Sequence, residues 1–351
     1  MFSSLPFGYM FLSVMGIGTL LSVSSIHWLS IWAGLEVNLI GFLPMLVYQK
    51  SISESQSAVK YFIIQALGSS LLIFGSLMMF SMSFTWDVLG QFGNFSNLGF
   101  VMLISGLCIK LGLFPFHYWL PSVMAGLPWV SCLLLATWQK FAPLFLVLCL
   151  MELNQSYIVA LIFCFLSAGS ALVGGLGGMN QTQIRALLAY SSIGHLGWMT
   201  FAILHSEWTM KSYLVIYVLI SISLFVSLWY SDSGSMKNIN NLKNSSLFLL
   251  TIMLLLLSLG GLPPLLGFIS KWLVISVGTS GPWVLMIFGL IFGSLMSLFY
   301  YLSLFFSVFL MGFKKYGLNK LNLNNSVVIM VNMLNVVGGV MILMIALVSS
   351  L

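Results

Sequence analysis

Eleven apolar stretches long enough to cross a lipid bilayer constrain this 351-residue chain more than any other feature of its sequence. A transmembrane helix needs about 20 mostly apolar residues. By that criterion we predict spans at residues 5–25, 27–48, 57–82, 96–113 with a short continuation at 116–124, 128–150, 156–177, 184–203, 210–231, 245–277 with a break, 283–308 and 326–350. The connections are too short for a soluble domain, so the sequence predicts an all-α polytopic membrane protein.

Composition excludes two other classes of protein. Only 5% of the residues are charged and 60% are hydrophobic, whereas soluble domains carry about 25% charged residues and disordered chains are poor in apolar ones. The four cysteines have no paired spacing, so neither a disulfide framework nor a thiolate metal site is indicated. The N-terminal residues lack the basic and arginine-rich patterns of targeting segments, so we expect no import presequence.

Loop charges predict the orientation of the chain in the membrane. If the spans alternate in direction, one cation, Lys211, falls on the side opposite the N-terminus. Eight fall on the N-terminal side: Lys50, Lys60, Arg185, Lys237, Lys243, Lys314, Lys315 and Lys320. Cationic loops stay on the cytoplasmic or matrix side, which places the N-terminus there. With an odd number of spans, the C-terminus lies across the membrane.

Four ionisable side chains remain deep in the predicted spans: Glu36, Lys110, Lys140 and Lys271. Each costs about 2.5–3.5 kcal/mol at a helix centre, and such residues usually mark ion or proton pathways. Glu36 and Lys140 lie near the middle of their spans, where a pathway competes with a purely structural buried pair. Lys110 and Lys271 lie beside helix interruptions, where each is also able to bond exposed carbonyl groups.

The interruptions are two Gly/Pro-containing segments, LGLFP at 111–115 and LGGLP at 259–263. Paired breaks in the two halves of a membrane protein indicate inverted repeats with the functional site at the broken helices. Five spans separate the breaks, as a five-helix repeat requires. The alternative is that membrane helices simply tolerate proline, and the two interpretations stay open on these residues alone.

Two of the four histidines are candidates for proton relay. His117 follows the first break, and His195 lies within a span. A histidine near buried lysines can pass a proton between them because its pKa lies near neutrality; the alternative is hydrogen-bonded packing. The glycine run at 174–178 ends a span with no strand before it, so it predicts close helix packing and no dinucleotide loop.

Several segments together resemble one family. They read KYFIIQ at 60–65, IKLGLFPFHYWLP at 109–121, TWQKFAP at 137–143, NQTQIRALLAYSSIGHLGW at 180–198 and LSLGGLPPLLGFISKW at 257–272. In order and spacing, from Gly16 to Tyr301, the chain resembles the NADH dehydrogenase subunit 2 family, the mitochondrially encoded antiporter-like subunits of respiratory complex I. The resemblance implies a single membrane domain with two inverted five-helix repeats, each with a broken helix, at 5–150 and 156–308, and an extra C-terminal helix at 326–350.

The resemblance also implies roles for the deep residues in proton translocation. Glu36 and Lys110 match a paired switch, Lys140 matches a central lysine, and Lys271 matches a lysine at the exit end of the path. His117 and His195 match positions on the same polar axis. The chain is then a subunit of a proton-translocating NADH:ubiquinone reductase that carries no redox centre itself. NAD, FMN, iron–sulfur clusters and ubiquinone are expected in partner subunits.

The implied partners are the other membrane-arm and accessory subunits of complex I and lipids such as cardiolipin, with no nucleic acid. The implied location is the mitochondrial inner membrane, with the N-terminus in the matrix and the C-terminus toward the intermembrane space. Ala186 and Gln56 depart from residues common in the family, which puts matrix-face contacts in doubt. Two rival functions stay open: a cation/proton antiporter subunit and a passive assembly scaffold.

Overall fold

The computed structural model describes residues 7–47, 51–88, 97–153, 156–231, 246–315 and 331–340. Fourteen helices lie in these ranges. They are α1 Gly8–Ser24, α2 Trp28–Leu46, α3 Ile52–Ser83, α4 Asn97–Leu111, α5 Trp119–Met124, α6 Trp129–Ala136, α7 Trp138–Leu153, α8 Tyr157–Met179, α9 Ile184–His205, α10 Glu207–Ser231, α11 Ser246–Gly260, α12 Leu266–Gly278, α13 Val284–Lys315 and α14 Val331–Val340. No regular strand occurs in them.

Each of the eleven predicted spans contains at least one helix within the described ranges. In the described ranges, seven helical stretches are long and apolar enough to cross a membrane, counting α6 and α7 as one. The other four positions hold α1, the α4–α5 pair, the α11–α12 pair and α14. The prediction of an all-α polytopic membrane protein is confirmed. The loop cations Lys50, Lys237, Lys243 and Lys320 lie outside the described residues, as do the outer ends of several spans.

Some helix boundaries differ from the prediction. Helix α3 begins at Ile52, before the predicted residue 57, because the Ser51 side chain accepts a hydrogen bond from Glu54 N at 3.3 Å and caps the helix. The span predicted at 128–150 is two helices, interrupted at Thr137. There the Thr137 hydroxyl donates to the carbonyl of Leu133 at 2.7 Å, a local bond of the kind that bends helices.

The chain forms two compact units, residues 1–162 and 163–351, and the boundary falls within α8. In the first unit, α1 packs on α2, α3 on α4, and α4 on α7. Small residues allow the closest approaches: a Cβ atom on Gly18 of α1 would lie 2.8 Å from the carbonyl oxygen of Gly34 on α2. Helix α2, which carries Glu36, is therefore tightly held against α1.

In the second unit, α9 packs against α10, α12 and α13. The glycine run at the end of α8 lies at two close contacts. A Cβ atom on Gly174 would lie 2.6 Å from Gly194 N on α9, and one on Gly175 would lie 2.6 Å from the carbonyl oxygen of Gly293 on α13. The run therefore serves close helix packing.

Both broken helices end in the same local geometry. Helix α4 is followed by Gly112 with φ +76°, and α11 is followed by Gly261 with φ +84°. The next residue donates back to the helix in each case, Leu113 N to Cys108 O at 3.1 Å and Leu262 N to Leu257 O at 3.3 Å. This is the Schellman arrangement, which favours glycine because side chains are strained at positive φ. The two predicted breaks are thus present as true helix ends. The inverted repeats at 5–150 and 156–308 stay a prediction.

Candidate functional site

A buried ion pair joins two helices of the first unit. Glu36 lies on α2 and Lys110 on the last turn of α4, and their Oε1 and Nζ atoms are 3.6 Å apart. The Lys110 side chain is 4% exposed and that of Glu36 is 24% exposed. An ammonium group in a protein interior is costly without a counter-charge, and Glu36 supplies one. The pairing implied by the resemblance is present, and its role as a switch stays a prediction.

At Glu36 Oε1 the contact with Lys110 is mainly electrostatic. The separation of 3.6 Å exceeds ordinary hydrogen-bond length. Within the described residues, the buried Oε1 atom of Glu36 has no hydrogen-bond partner. The attraction between Oε1 and Nζ therefore changes with a small movement of either side chain.

A small polar cavity brings Lys110 and Lys140 together. It has a volume of about 20 Å³ and is lined by both lysines and by Asn38, Gln65 and Gln139. Lys140, in the first turn of α7, is 4% exposed. A polar cavity of this size accommodates about one water molecule. Two of the predicted lysines thus face one space that is able to carry a hydrogen-bonded connection.

Sequence reasoning missed an amide pair on the wall of this cavity. Asn38 Nδ2 donates to Gln139 Oε1 at 2.9 Å, and Gln139 Nε2 donates to Asn38 Oδ1 at 3.3 Å. The available signal was the presence of amides in apolar spans, because such polar side chains usually bond across helices. The prediction considered only ionisable groups at depth and passed over these two.

Lys271 in the second unit bonds the end of a broken helix. Its Nζ atom donates to the carbonyl oxygens of Gly260 at 2.7 Å and Leu259 at 3.3 Å. The last carbonyls of a helix have no partner within the helix, so the lysine from α12 satisfies two groups at the end of α11. This is the carbonyl-bonding alternative considered for Lys271 from the sequence.

A second cavity, of about 10 Å³, brings Lys271 and His195 together. Its wall also includes Ser191, Ser294 and Tyr301. His195 Nδ1 lies 2.8 Å from the hydroxyl oxygen of Tyr213 on α10. Neither tyrosine was singled out from the sequence, because a tyrosine in an apolar helix is more often a packing residue. The geometry connects the predicted histidine to a second group that exchanges hydrogen bonds.

His117 lines neither of these cavities. It is 4% exposed in the segment after α4, and its ring packs on Tyr118 with centroids 4.1 Å apart. In the described part of the chain its buried Nδ1 atom has no hydrogen-bond partner. His117 is thus not part of either cavity that holds a deep lysine, and its role as a relay stays a prediction.

Charged side chains outside the cavities pair near helix ends. His27 Nδ1 lies 2.6 Å from Asp87 Oδ1, and Lys211 pairs with Glu207 one turn away on α10. These side chains are 41–64% exposed. The described residues contain no group of three or more His, Cys, Asp or Glu side chains placed to hold a metal ion. The buried ionisable groups are thus distinct from the exposed pairs.

Comparison with known proteins identifies relatives along the whole chain. Residues 25–297 match the family described as NADH:quinone oxidoreductase/Mrp antiporter, TM. NADH-ubiquinone oxidoreductase chain 2 of Anopheles gambiae is 39% identical over 341 residues, which cover 95% of this chain and 96% of that protein. The protein of the same name from Lumbricus terrestris is 39% identical over 299 residues, with 84% and 85% covered.

Solved structures share the fold. A chain of respiratory complex I from Thermus thermophilus with bound aureothin superposes with a TM-score of 0.81 and 26% identity, covering 95% of this chain and 78% of that one. A chain of the Mrp complex from Dietzia sp. DQ12-45-1b has a TM-score of 0.76 at 14% identity, with 85% and 60% covered, a likeness of fold alone. The chain therefore belongs to the NADH-ubiquinone oxidoreductase chain 2 family, within the NADH:quinone oxidoreductase/Mrp antiporter membrane proteins.

Proposed function

We propose that this chain is a proton-translocating membrane-arm subunit of respiratory complex I. In this function, quinone reduction in other subunits drives protons through the buried glutamate, lysine and histidine groups. The observation that carries the proposal is the Glu36–Lys110 ion pair beside a cavity shared with Lys140. The relatives at 39% identity are named NADH-ubiquinone oxidoreductase chain 2, and this name supports assigning the path to respiratory complex I.

The first step is electrostatic control of Lys110 by Glu36. Opposite unit charges at this separation attract by about 5 kcal/mol at an effective dielectric constant of 20. Movement of the Glu36 carboxylate, or its protonation, removes much of that attraction. The proton affinity of Lys110 therefore depends on the position and charge of Glu36. A conformational signal that reaches α2 is converted into a change of proton occupancy on α4.

The second step links Lys110 to Lys140. Both face one small polar cavity, and two ammonium groups there repel each other strongly in a low-dielectric interior. A proton on one lysine therefore disfavours a proton on the other, which favours alternate loading. A hydrogen-bonded connection through the cavity gives the proton a route, since transfer requires donor and acceptor within hydrogen-bond reach or one water apart.

The third group of residues lies in the second unit. Lys271 faces a cavity with His195, and His195 contacts the Tyr213 hydroxyl. An imidazole and a phenol in contact are able to exchange hydrogen bonds as a proton arrives or leaves. We assign Lys271 to the exit end of the path, following the resemblance, and we retain His117 as a further relay.

In the assembled complex we place NAD, FMN, the iron–sulfur clusters and ubiquinone in partner subunits, so that this chain moves protons and carries no redox centre. The membrane-arm and accessory subunits and lipids such as cardiolipin surround it. The cation bias of the loops supports an N-terminus in the matrix and a C-terminus toward the intermembrane space, in the mitochondrial inner membrane. Gln56 is exposed and Ala186 is 5% exposed, so the two family departures lie in different surroundings.

Two alternative functions make different predictions for the same residues. A cation/proton antiporter subunit shares the fold, but the Mrp likeness is at 14% identity, whereas the named chain 2 relatives reach 39%. A passive scaffold uses the deep charges only for packing. It therefore predicts normal pumping when apolar side chains of similar size replace them.

Replacing the central lysine tests the proposed function. Lys140→Met keeps the length of the side chain and removes its proton-binding group. The assembled complex should retain its NADH-oxidising subunits, while coupled turnover and proton pumping should fall at least about tenfold, since loss of a proton-transfer group typically costs more than that. Lys211→Met, at an exposed lysine, is the matched control and should pump normally. Undiminished pumping by an assembled Lys140→Met complex contradicts the proposal.

A further inference from the structure

The amide pair of Asn38 and Gln139 joins the two helices that carry the ionisable groups of the first unit. Asn38 follows Glu36 by two residues on α2, and Gln139 directly precedes Lys140 on α7. The two reciprocal hydrogen bonds, at 2.9 and 3.3 Å, close a ring between the side chains. Both amides and both lysines line the same cavity. The pair therefore lies on the wall of the cavity that Lys110 and Lys140 share.

We propose that the Asn38–Gln139 amide pair is a positioning element of the proton path that fixes Lys140 relative to the Glu36–Lys110 ion pair. The inference rests on the proposed function, since it assigns the pair to the spacing of groups that carry protons. Neither amide binds the transferred proton. Asn38 and Gln139 act through Lys140 and through the helix that carries Glu36.

The start of α7 needs such a restraint. The helix begins at Trp138, directly after the interruption at Thr137, so Gln139 and Lys140 lie in its first turn. At this break Thr137 N still donates to Leu133 O at 3.0 Å, but Lys140 N donates to Thr137 O at 3.2 Å, three residues back and not the four of a regular α-helix. Continuity with α6 therefore does not set the position of Lys140 as it would in an unbroken helix. A side-chain bond to a neighbouring helix supplies the missing constraint.

Asn38 is a suitable anchor for this restraint. It is 3% exposed, and its backbone lies against α1, since a Cβ atom on Gly18 would lie only 2.5 Å from Asn38 N. The backbone of Asn38 thus has little room to shift. A bond from this residue transmits the position of α2 to the first turn of α7.

The chemistry of the amides also fits a positioning role. A carboxamide donates and accepts hydrogen bonds without gaining or losing protons near neutral pH. A carboxylate at Gln139 would hold the Lys140 proton by charge, and a serine or threonine would not reach as far. Two amides hold the spacing of the lysines without competing for the proton. Misplacement of a reacting group by about 1 Å is enough to lower a rate by about 100-fold.

The test compares single, double and exchanged variants in the assembled complex. Asn38→Leu and Gln139→Met each break the pair with little change in volume, and we expect each to lower proton pumping about three- to tenfold, in line with loss of neutral hydrogen bonds. The double variant should pump at least as fast as the slower of the two single variants, because both changes remove the same interaction. The exchange Asn38→Gln with Gln139→Asn rebuilds an amide pair and should restore pumping to within about twofold of the wild type.

The pH profile of pumping separates positioning from packing. It should shift in each single variant and return in the exchange variant, because the spacing of titrating groups changes and is then rebuilt. Asn335→Leu replaces an amide of the second unit that is also 3% exposed, and this control should leave pumping and its pH profile unchanged. A buried amide without its partner destabilises a fold, so Asn38→Ser and Gln139→Ser are measured wherever a single variant fails to assemble.

Three results overturn the inference: wild-type pumping in both single variants, multiplicative losses in the double variant, or an exchange variant as impaired as the singles. Lys140→Met, measured in parallel, separates this inference from the proposed function. Normal pumping with Lys140→Met removes the proposed function itself. Lost pumping with Lys140→Met, together with unimpaired amide variants, removes only the positioning role.

Discussion

The two broken helices share a backbone design but use their lysines differently. Each ends at a glycine of positive φ, Gly112 or Gly261, with the Schellman hydrogen bonds around it. Lys110 lies two residues before its glycine and points to a carboxylate, whereas Lys271 lies ten residues after its glycine and bonds the carbonyls of the helix that ended. The two regions thus share the backbone break but differ in the partner of the lysine, which is a carboxylate for Lys110 and a pair of backbone carbonyls for Lys271.

The difference follows from what satisfies the helix end. At the first break, the carbonyl of Ile109 accepts a hydrogen bond from Trp119 Nε1 at 3.1 Å. The Trp119 indole thus donates to a helix-end carbonyl at the first break, as the Lys271 ammonium group does at the second. Lys110 is therefore available to pair with Glu36. We therefore expect Lys110 to act mainly through its charge and Lys271 to combine its charge with a structural bond to the helix end.

The largest effect is expected from Lys271→Met. This change leaves the carbonyls of Leu259 and Gly260 without their donor, and each buried unsatisfied group costs about 1–3 kcal/mol. Both the amount of assembled complex and the pumping rate per complex should fall. Lys110→Met, at the first break, should lower pumping while leaving assembly near normal. Native gels and pumping assays on the same membranes measure both quantities.

Lys271→Arg is the matched control for this contrast. A guanidinium group donates to carbonyls but stays protonated in proteins, so assembly should recover while pumping stays low. Recovery of pumping together with assembly would mean that Lys271 is only structural. Equal assembly defects in Lys110→Met and Lys271→Met would remove the distinction between the breaks.

The next effect concerns Glu36→Gln. The variant keeps the shape of the side chain and leaves the buried Lys110 ammonium without a counter-charge, so we expect pumping to fall about tenfold. The measurement is the rate of proton uptake by vesicles that contain the assembled complex. Glu152→Gln, at an exposed carboxylate on α7, is the control. Normal pumping by Glu36→Gln would show that the ion pair is not a switch.

Alanine at the two glycines gives a smaller and unequal effect. Left-handed backbone costs a non-glycine residue about 1–2 kcal/mol, so Gly112→Ala and Gly261→Ala should lower thermal stability similarly. A Cβ atom at Gly261 would lie 2.9 Å from Lys271 Nζ, whereas one at Gly112 would lie 3.0 Å from Leu120 Cδ1. Pumping should therefore fall more in Gly261→Ala. Equal losses of pumping in assembled complexes would contradict the special position of Lys271.

The smallest effect is expected from Trp119→Phe. The change removes the indole donor to Ile109 O, but Gly112 N still donates to that carbonyl at 3.2 Å. We expect a loss of stability of about 1 kcal/mol and pumping within about twofold of the wild type. Thermal unfolding of the purified complex and a pumping assay check the two values. A severe loss of pumping would mean that Trp119 contributes to the path directly.

The membrane environment explains why the fold was largely predictable. A lipid bilayer demands about 20 apolar residues per helix, so the spans are visible as runs of composition. A charged side chain deep in a membrane is energetically unfavourable. Glu36, Lys140 and Lys271 could therefore be recognised in the sequence as exceptions within apolar spans. The breaks could be recognised from their glycines, because Gly112 and Gly261 occupy a backbone conformation that other residues avoid.

The remaining features depend on contacts between distant segments. The bond between Asn38 and Gln139 joins residues 101 positions apart, and an amide in an apolar span does not indicate which distant residue it bonds. The interruption at Thr137 has no glycine or following proline at the break itself. The position of His117 outside both cavities depends on how the segment after α4 packs. The pairing of Glu36 with Lys110 was predicted from the family resemblance and not from their spacing along the chain.

Proton translocation through the buried lysines is tested most directly by the number of protons moved per NADH oxidised. The assembled complex for this measurement carries Lys110→Met, Lys140→Met and Lys271→Arg together. The arginine keeps the second helix end bonded, so the combination removes proton-exchanging lysines with the least structural change. If these lysines carry protons, coupled turnover is lost or fewer protons move per NADH. Wild-type turnover with an unchanged proton ratio would contradict it and would make this chain a scaffold.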